Sequence, residues 1–191
     1  MSNFADAYNL NGWASAATHT DIVDIYRNPT ADPAILQYYT QPLYLAVKLR
    51  TKVLPKGGVS IADIYIINEK DVKGPHTLEV ELLDPAGKTV FSSQYPATIL
   101  GGEEFGQMLV ENIKLPPAEL PGYYKLNARL TDASGVKATG YDDIFAADYR
   151  ASGQALKGRG AIIDASGTVN AFLQDVCGIT LPEFDPKGPE L

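Results

Sequence analysis

Paired carboxylates are the residues of this chain whose types and spacing come nearest to doing chemistry. Glu103-Glu104, Asp142-Asp143 and Glu79/Glu81 are the candidate pairs. Two carboxyl groups about 5 Å apart, one of them with a raised pKa, can share nucleophile and acid/base duties. Glu103-Glu104 follows two glycines in a loop, and Glu79 and Glu81 occupy the polar side of an alternating strand, so solvation explains both. Asp132, Ser134 and Asp142 offer hard oxygen ligands of the kind calcium takes, but Asp132 to Gly135 reads first as a hairpin turn. His19 and His76 lack the spacing of a zinc site, and no Gly-x-Ser-x-Gly elbow accompanies them. Gly158-Arg159-Gly160 and Ser166-Gly167-Thr168 fall short of a dinucleotide fingerprint. Cys177, the single cysteine, excludes an internal disulfide and reads as a small buried hydrophobe. The expectation is no catalytic residue, no metal and no cofactor.

Aromatic rings are the second kind of candidate, because the apolar faces of Trp and Tyr can carry the C–H faces of sugars. Trp13, Tyr38, Tyr39 and Tyr44 lie in or beside the N-terminal region, and Tyr123 points away from Tyr124 along one strand. Packing of a linker onto the main body accounts for the same rings; an inter-domain face and direct glycan contact are the alternatives.

These side chains are positioned by a middle region of period two. From Pro42 to about Tyr149, Leu43, Leu45, Val47 and Leu49 face one way while Tyr44, Ala46, Lys48 and Arg50 face the other. Val59 to Asn68 is nearly continuous apolar sequence, which predicts a strand buried on both faces. Leu78, Val80 and Leu82 alternate with Glu79 and Glu81 before the turn Asp84-Pro85-Ala86-Gly87, with Lys88 to Tyr95 as hairpin partner. Gly106 to Leu115, Gly122 to Asp132 and a last strand ending near Phe145 complete about seven strands. Short strands divided by Gly/Pro turns predict an all-β, immunoglobulin-like antiparallel β-sandwich over 42–149.

The flanks differ. In 1–41, Pro29 and Pro33 break any long helix, Asp21 to Tyr26 alternates like a strand, and Ala34 to Tyr39 can form a turn or two of helix. In 150–191, Gly160 to Asp164 predicts a short buried strand, Ser166-Gly167-Thr168 a helix cap, and Gly178 a helix end after Val169, Phe172, Leu173 and Val176. Strand, turn and helix open a βαβ unit. Pro182, Pro186 and Pro189 then obstruct the parallel strand that should follow, so this region reads as the truncated start of an α/β domain.

The chain has 191 residues, 45% of them hydrophobic and 20% charged, which suits one ordinary domain with extensions. A net charge of −7 without any Lys/Arg cluster disfavours nucleic acid. No apolar run approaches the roughly 20 residues of a membrane span, and Met1 to Asp6 lacks the order of a signal peptide.

Two stretches carry a resemblance. His19-Thr20-Asp21-Ile22-Val23-Asp24-Ile25-Tyr26-Arg27-Asn28-Pro29 resembles the segment that leaves the catalytic barrel in family 2 glycoside hydrolases, with Thr30 where lysine is usual. Leu120 to Asp132 resembles the late strand of bacterial immunoglobulin-like accessory domains, whose tyrosine near the strand start can form a tyrosine corner. The resemblance implies an accessory sandwich of a β-galactosidase- or β-glucuronidase-like parent acting on a polysaccharide. The acid/base and nucleophile glutamates of such parents lie upstream, so none is assigned here. Its implied partners are the other domains of that parent, with polysaccharide as the alternative. A periplasmic or secreted parent is compatible with it, and the sequence leaves the compartment open.

Overall fold

The computed structural model describes residues 23, 26–103, 105–153 and 160–188. Alternation becomes two packed sheets. The smaller contains β1 (Leu43–Leu49), β3 (Ile61–Asn68) and β6 (Gly106–Lys114), in the order β1-β3-β6. The larger contains β2 (Val53–Pro55), β4 (Gly74–Leu83), β5 (Thr89–Ile99), β7 (Gly122–Asp132) and β8 (Gly135–Ala147), in the order β2-β8-β7-β4-β5. The chain passes from one sheet to the other after β1, β2, β3, β5 and β6, the crossing pattern of an immunoglobulin-like sandwich.

The inward faces are those that period two selects. Leu78, Val80 and Leu82 on β4 and Tyr124, Leu126, Ala128 and Leu130 on β7 meet Leu45, Ala62, Ile64 and Ile66 of the smaller sheet, all of them buried. Each such Leu or Ile contributes about 1.5–3 kcal/mol by leaving water. Asp84 closes the β4–β5 hairpin: its carboxylate accepts the amides of Ala86 and Lys88, each at 2.9 Å, while Gly87 takes φ +79. Pro96, which has no N–H to donate, sits on β5 at the sheet edge. Tyr124 forms the tyrosine corner, its hydroxyl accepting the Leu120 amide at 2.8 Å.

Three features of the sandwich depart from the sequence expectation. An eighth strand, β2, pairs parallel with β8 (Val53 opposite Phe145), so the sandwich is not purely antiparallel. The chain leaves β1 at Leu49, crosses to the other sheet and continues in the same direction, which makes the new pairing parallel. Second, β3 begins at Ile61; Val59, after Gly58, is exposed. Third, β3 and β6 contain a bulge. Ala62 pairs with Ile113 and Ile64 with Val110, leaving Asp63 opposite both Glu111 and Asn112. Asn112 adopts φ +59, and Asp63 fills the gap. Its carboxylate accepts the Asn112 amide at 2.8 Å and Arg50 Nε and Nη2 at 3.1 and 3.0 Å. The Arg50 guanidinium holds this carboxyl below the usual range despite its burial.

On the N-terminal side, Val23 and Pro29 form one antiparallel bridge, followed by α1 (Pro33–Tyr39). On the C-terminal side come α2 (Tyr149–Gly153), α3 (Thr168–Phe172) and a π-helical turn at Leu173–Cys177 that ends on Gly178 at φ +69. The expected buried strand at 160–164 is instead a lone parallel bridge between Ile162 and Glu183, with Ile163 exposed. The prolines do not prevent it, because Pro182 supplies only its carbonyl, to the Ile162 amide. The α3 start is held by Asp164, whose carboxylate accepts the Asn170 amide at 2.9 Å, rather than by a side-chain cap from Gly167. Cys177 is half-buried, not enclosed.

Candidate functional site

Helix α1 brings the N-terminal tyrosines to the sandwich. Asp32 caps it, accepting the Ala34 amide at 2.9 Å, and Pro33 supplies a preset φ in the first turn. The helix stops at Thr40, whose amide donates to the Leu36 carbonyl at 3.0 Å. Tyr38 then lies 5.1 Å from Tyr141 of β8, ring centre to ring centre, and Tyr39 stands edge-on to Tyr38 at 5.0 Å. Tyr44 faces the same place from β1. Tyr38, Tyr39, Tyr44, Lys48, Lys52, Tyr141 and Asp142 line one cleft of ≈ 390 Å³.

The cleft is partly dry. Tyr44 is only 3% exposed and Tyr38 is half-buried, whereas Tyr39 is 43% exposed. Glycan contact requires exposed rings, and buried Tyr44 does not meet that requirement. Burial pushes the Tyr38 hydroxyl up to about 12, against the pull of the Tyr141 backbone amide beside it. Burial, and then Tyr141, raise the Tyr39 hydroxyl as well. Lys52 donates to Asp142 at 2.8 Å across the cleft mouth, and Lys125 Nζ stands 4.1 Å from the centre of the Tyr141 ring. Trp13 and His19 lie outside the described residues.

Tyr141 also bounds a second opening, on the outer face of the larger sheet. The registers place Ser92, Glu81, Asn127 and Tyr141 in one row across β5, β4, β7 and β8, and Gln94, Glu79, Arg129 and Thr139 in the next. With Tyr38 at one end, these rows line a groove of ≈ 460 Å³. Sequence reading did not single out Tyr141, which sits in ordinary alternation on β8; its outward position opposite Asn127 was the available signal.

The carboxylate candidates are committed elsewhere. Glu79 faces Arg129 at 3.5 Å, and Glu81 accepts the Thr89 hydroxyl at 2.6 Å. Asp142 holds Lys52, while Asp143 points to solvent from the same strand. Glu104 lies outside the described residues. Asp132 accepts the Ser134 amide and hydroxyl at 2.7 and 2.8 Å, which keeps its carboxyl low and makes it a turn residue. A general acid needs the opposite displacement; Asp63, Asp71, Asp132, Asp148 and Asp164 are all held down. Buried His76 bonds the Gly74 carbonyl through Nδ1 at 3.0 Å. Among the described residues, no three His, Cys, Asp or Glu side chains are grouped to hold a metal, and no helix is long and apolar enough to cross a membrane.

The architecture is that of an all-β, immunoglobulin-like sandwich. No protein-family model matches the chain, and no curated protein matches it in sequence. Among solved structures, a glycosyl hydrolase family 2 member from Bacteroides cellulosilyticus is similar at TM-score 0.42 and 17% identity, over 56% of this chain and 16% of that one. The Bacteroides uniformis β-glucuronidase gives TM-score 0.40 and 12% identity over 53% and 13%. The CARDB domain of a Pyrococcus furiosus protein, solved with di-metal ions, gives 0.38 and 15% over 55% and 87%. This chain therefore spans about a sixth or less of the two glycoside hydrolases.

Proposed function

We propose that this chain is a non-catalytic accessory sandwich of a polysaccharide-degrading glycoside hydrolase, and that it fixes the segment by which the chain leaves a catalytic barrel. One observation carries the reading. The stretch that resembles a barrel exit, ending at Pro29, leads within a few residues into α1, and α1 is fastened to the sandwich through Tyr38 against Tyr141. A seven-residue helix is too short to be stable alone in water. Docking therefore supplies its order, and with it the direction in which the preceding chain departs. In this reading 42–149 is the module and 1–41 its tether to the barrel.

The test is twofold. The purified chain should not turn over aryl β-galactosides or β-glucuronides. Turnover that disappears in Glu79→Gln or Asp142→Asn would overturn the reading. Tyr38→Ala should open the stretch between Tyr26 and Pro42 to protease while the sandwich stays folded. Unchanged resistance to cleavage would count against a tether.

A further inference from the structure

We infer that two copies of this chain associate edge to edge through the middle of β5, joining their larger sheets about a two-fold axis at Ser93. The strands at the sheet edges are β1, β6, β2 and β5. Short strands, edge charges and bulges are the devices that keep such edges from pairing. The first three edges are closed to a partner. β1 lies against β8, its Leu45 carbonyl seated on Gly140. β6 carries Glu111, Lys114 and the bulge at Asn112, and β2 is 3 residues long. β5 is 11 residues long, and no charged side chain occurs from Thr89 to Ile99. Its blocking features lie at the ends: Val90 drops out of register with β4, and Pro96 has no N–H to donate. Phe91 to Tyr95, between them, is an open edge.

Gln107 shows which way this strand turns its backbone. Its Nε2 donates to the Thr98 carbonyl at 2.8 Å, and its Oε1 accepts the Leu100 amide at 2.9 Å. The even-numbered residues therefore aim their backbone groups away from β4, and Pro96 stands at such a position. Ser92 and Gln94 share that orientation and offer N–H and C=O to a further strand. Phe91, Ser93 and Tyr95 point inward, with the two rings half-buried against the core. An antiparallel second copy centred on Ser93 bonds Ser92 to the partner's Gln94, and Gln94 to the partner's Ser92. It sets Phe91 beside the partner's Tyr95 in the closer, non-hydrogen-bonded kind of pair. The partner's Pro96 then falls opposite Val90, where the bulge has already broken the ladder. Sliding by two residues would face Phe91 with the partner's Ser93 and lose the aromatic pairs. A net charge of −7 opposes self-association except where the meeting surfaces are neutral, and this edge is neutral. The association is independent of the accessory role proposed above.

Sedimentation equilibrium of the full chain across a range of concentrations tests it, and a reversible monomer–dimer equilibrium is expected. Ser92→Pro removes an outward N–H from each copy without touching the β4–β5 ladder. It should weaken the dimer about tenfold with circular dichroism unchanged. Met108→Lys, on the smaller sheet, should leave the dimer intact. The register has its own test. With Cys177→Ser as background, Ser93→Cys should form a disulfide-linked dimer when oxidised with diamide, because directly opposed residues of a non-hydrogen-bonded pair lie about 4.5 Å apart at Cα. Ser92→Cys should cross-link far more slowly. A chain that stays monomeric throughout, a dimer that survives Ser92→Pro at full affinity, or faster cross-linking through Ser92→Cys than Ser93→Cys would overturn the inference. None of these results bears on aryl-glycoside turnover or on protease access at α1, so the two proposals fail separately.

Discussion

Replacing Asp63 by alanine should be among the most damaging single polar substitutions in the sandwich. Its side chain is 8% exposed and makes three hydrogen bonds, one from the Asn112 amide and two from Arg50. Removal leaves the bulge amide facing a small cavity inside the β3–β6 ladder. An orphaned buried donor costs about 1–3 kcal/mol, and each lost hydrogen bond about 0.5–1.5 kcal/mol. Arg50 is 44% exposed and can rehydrate, so its share is screened and the total is about 2–3 kcal/mol. That corresponds to a fall in Tm of roughly 8–15 °C for a body of this size. Thermal unfolding followed by far-ultraviolet circular dichroism measures it. The pH dependence supplies the sign. Asp63 is held low in the folded protein, so its contribution is full above the ordinary carboxylate pKa of about 3.9 and is lost as pH falls through the folded value. The gap between wild type and Asp63→Ala should therefore close as the solution is acidified below about pH 4. Equal midpoints at neutral pH, or a gap that acid leaves intact, would refute the reasoning.

Gly140→Ala should abolish soluble folding, because a Cβ there would collide with the Leu45 carbonyl where β1 and β8 cross; expression and circular dichroism report it. Tyr124→Phe removes the bond to the Leu120 amide and should cost about 1 kcal/mol in urea unfolding, with the native spectrum retained. Tyr38→Phe should remove a late-titrating tyrosinate from an ultraviolet pH titration. Its folded pKa is raised from 10.0 to about 12, so the stability it lends is full below pH 10 and lost as pH rises towards 12; the variant should resist alkali better.

What the sequence discloses depends on whether the cause is local. The strands β4 and β7 are legible because each is half-buried, so Leu78, Val80, Leu82 and Tyr124, Leu126, Ala128, Leu130 must alternate with polar residues. The turn at Asp84 is legible because its carboxylate bonds amides two and four residues on. Strand β2 is not, because three residues become a strand only through the partner strand β8. The bulge escapes for the same reason: Asp63 and Asn112 look like ordinary surface residues until two strands bring them together with Arg50. For the candidate site, Tyr38, Tyr39 and Tyr44 stand out by type, but their gathering around Tyr141 depends on where α1 and β1 come together with β8.

The claim that α1 belongs to the sandwich is tested most directly by amide hydrogen exchange at Thr40, whose N–H bonds the Leu36 carbonyl. Seven residues of free helix would not protect it. The account predicts protection in the native chain that vanishes in Tyr38→Ala while the amides of β7 stay protected. Exchange at the rate of an unstructured peptide in the native chain, or protection indifferent to Tyr38, would contradict it.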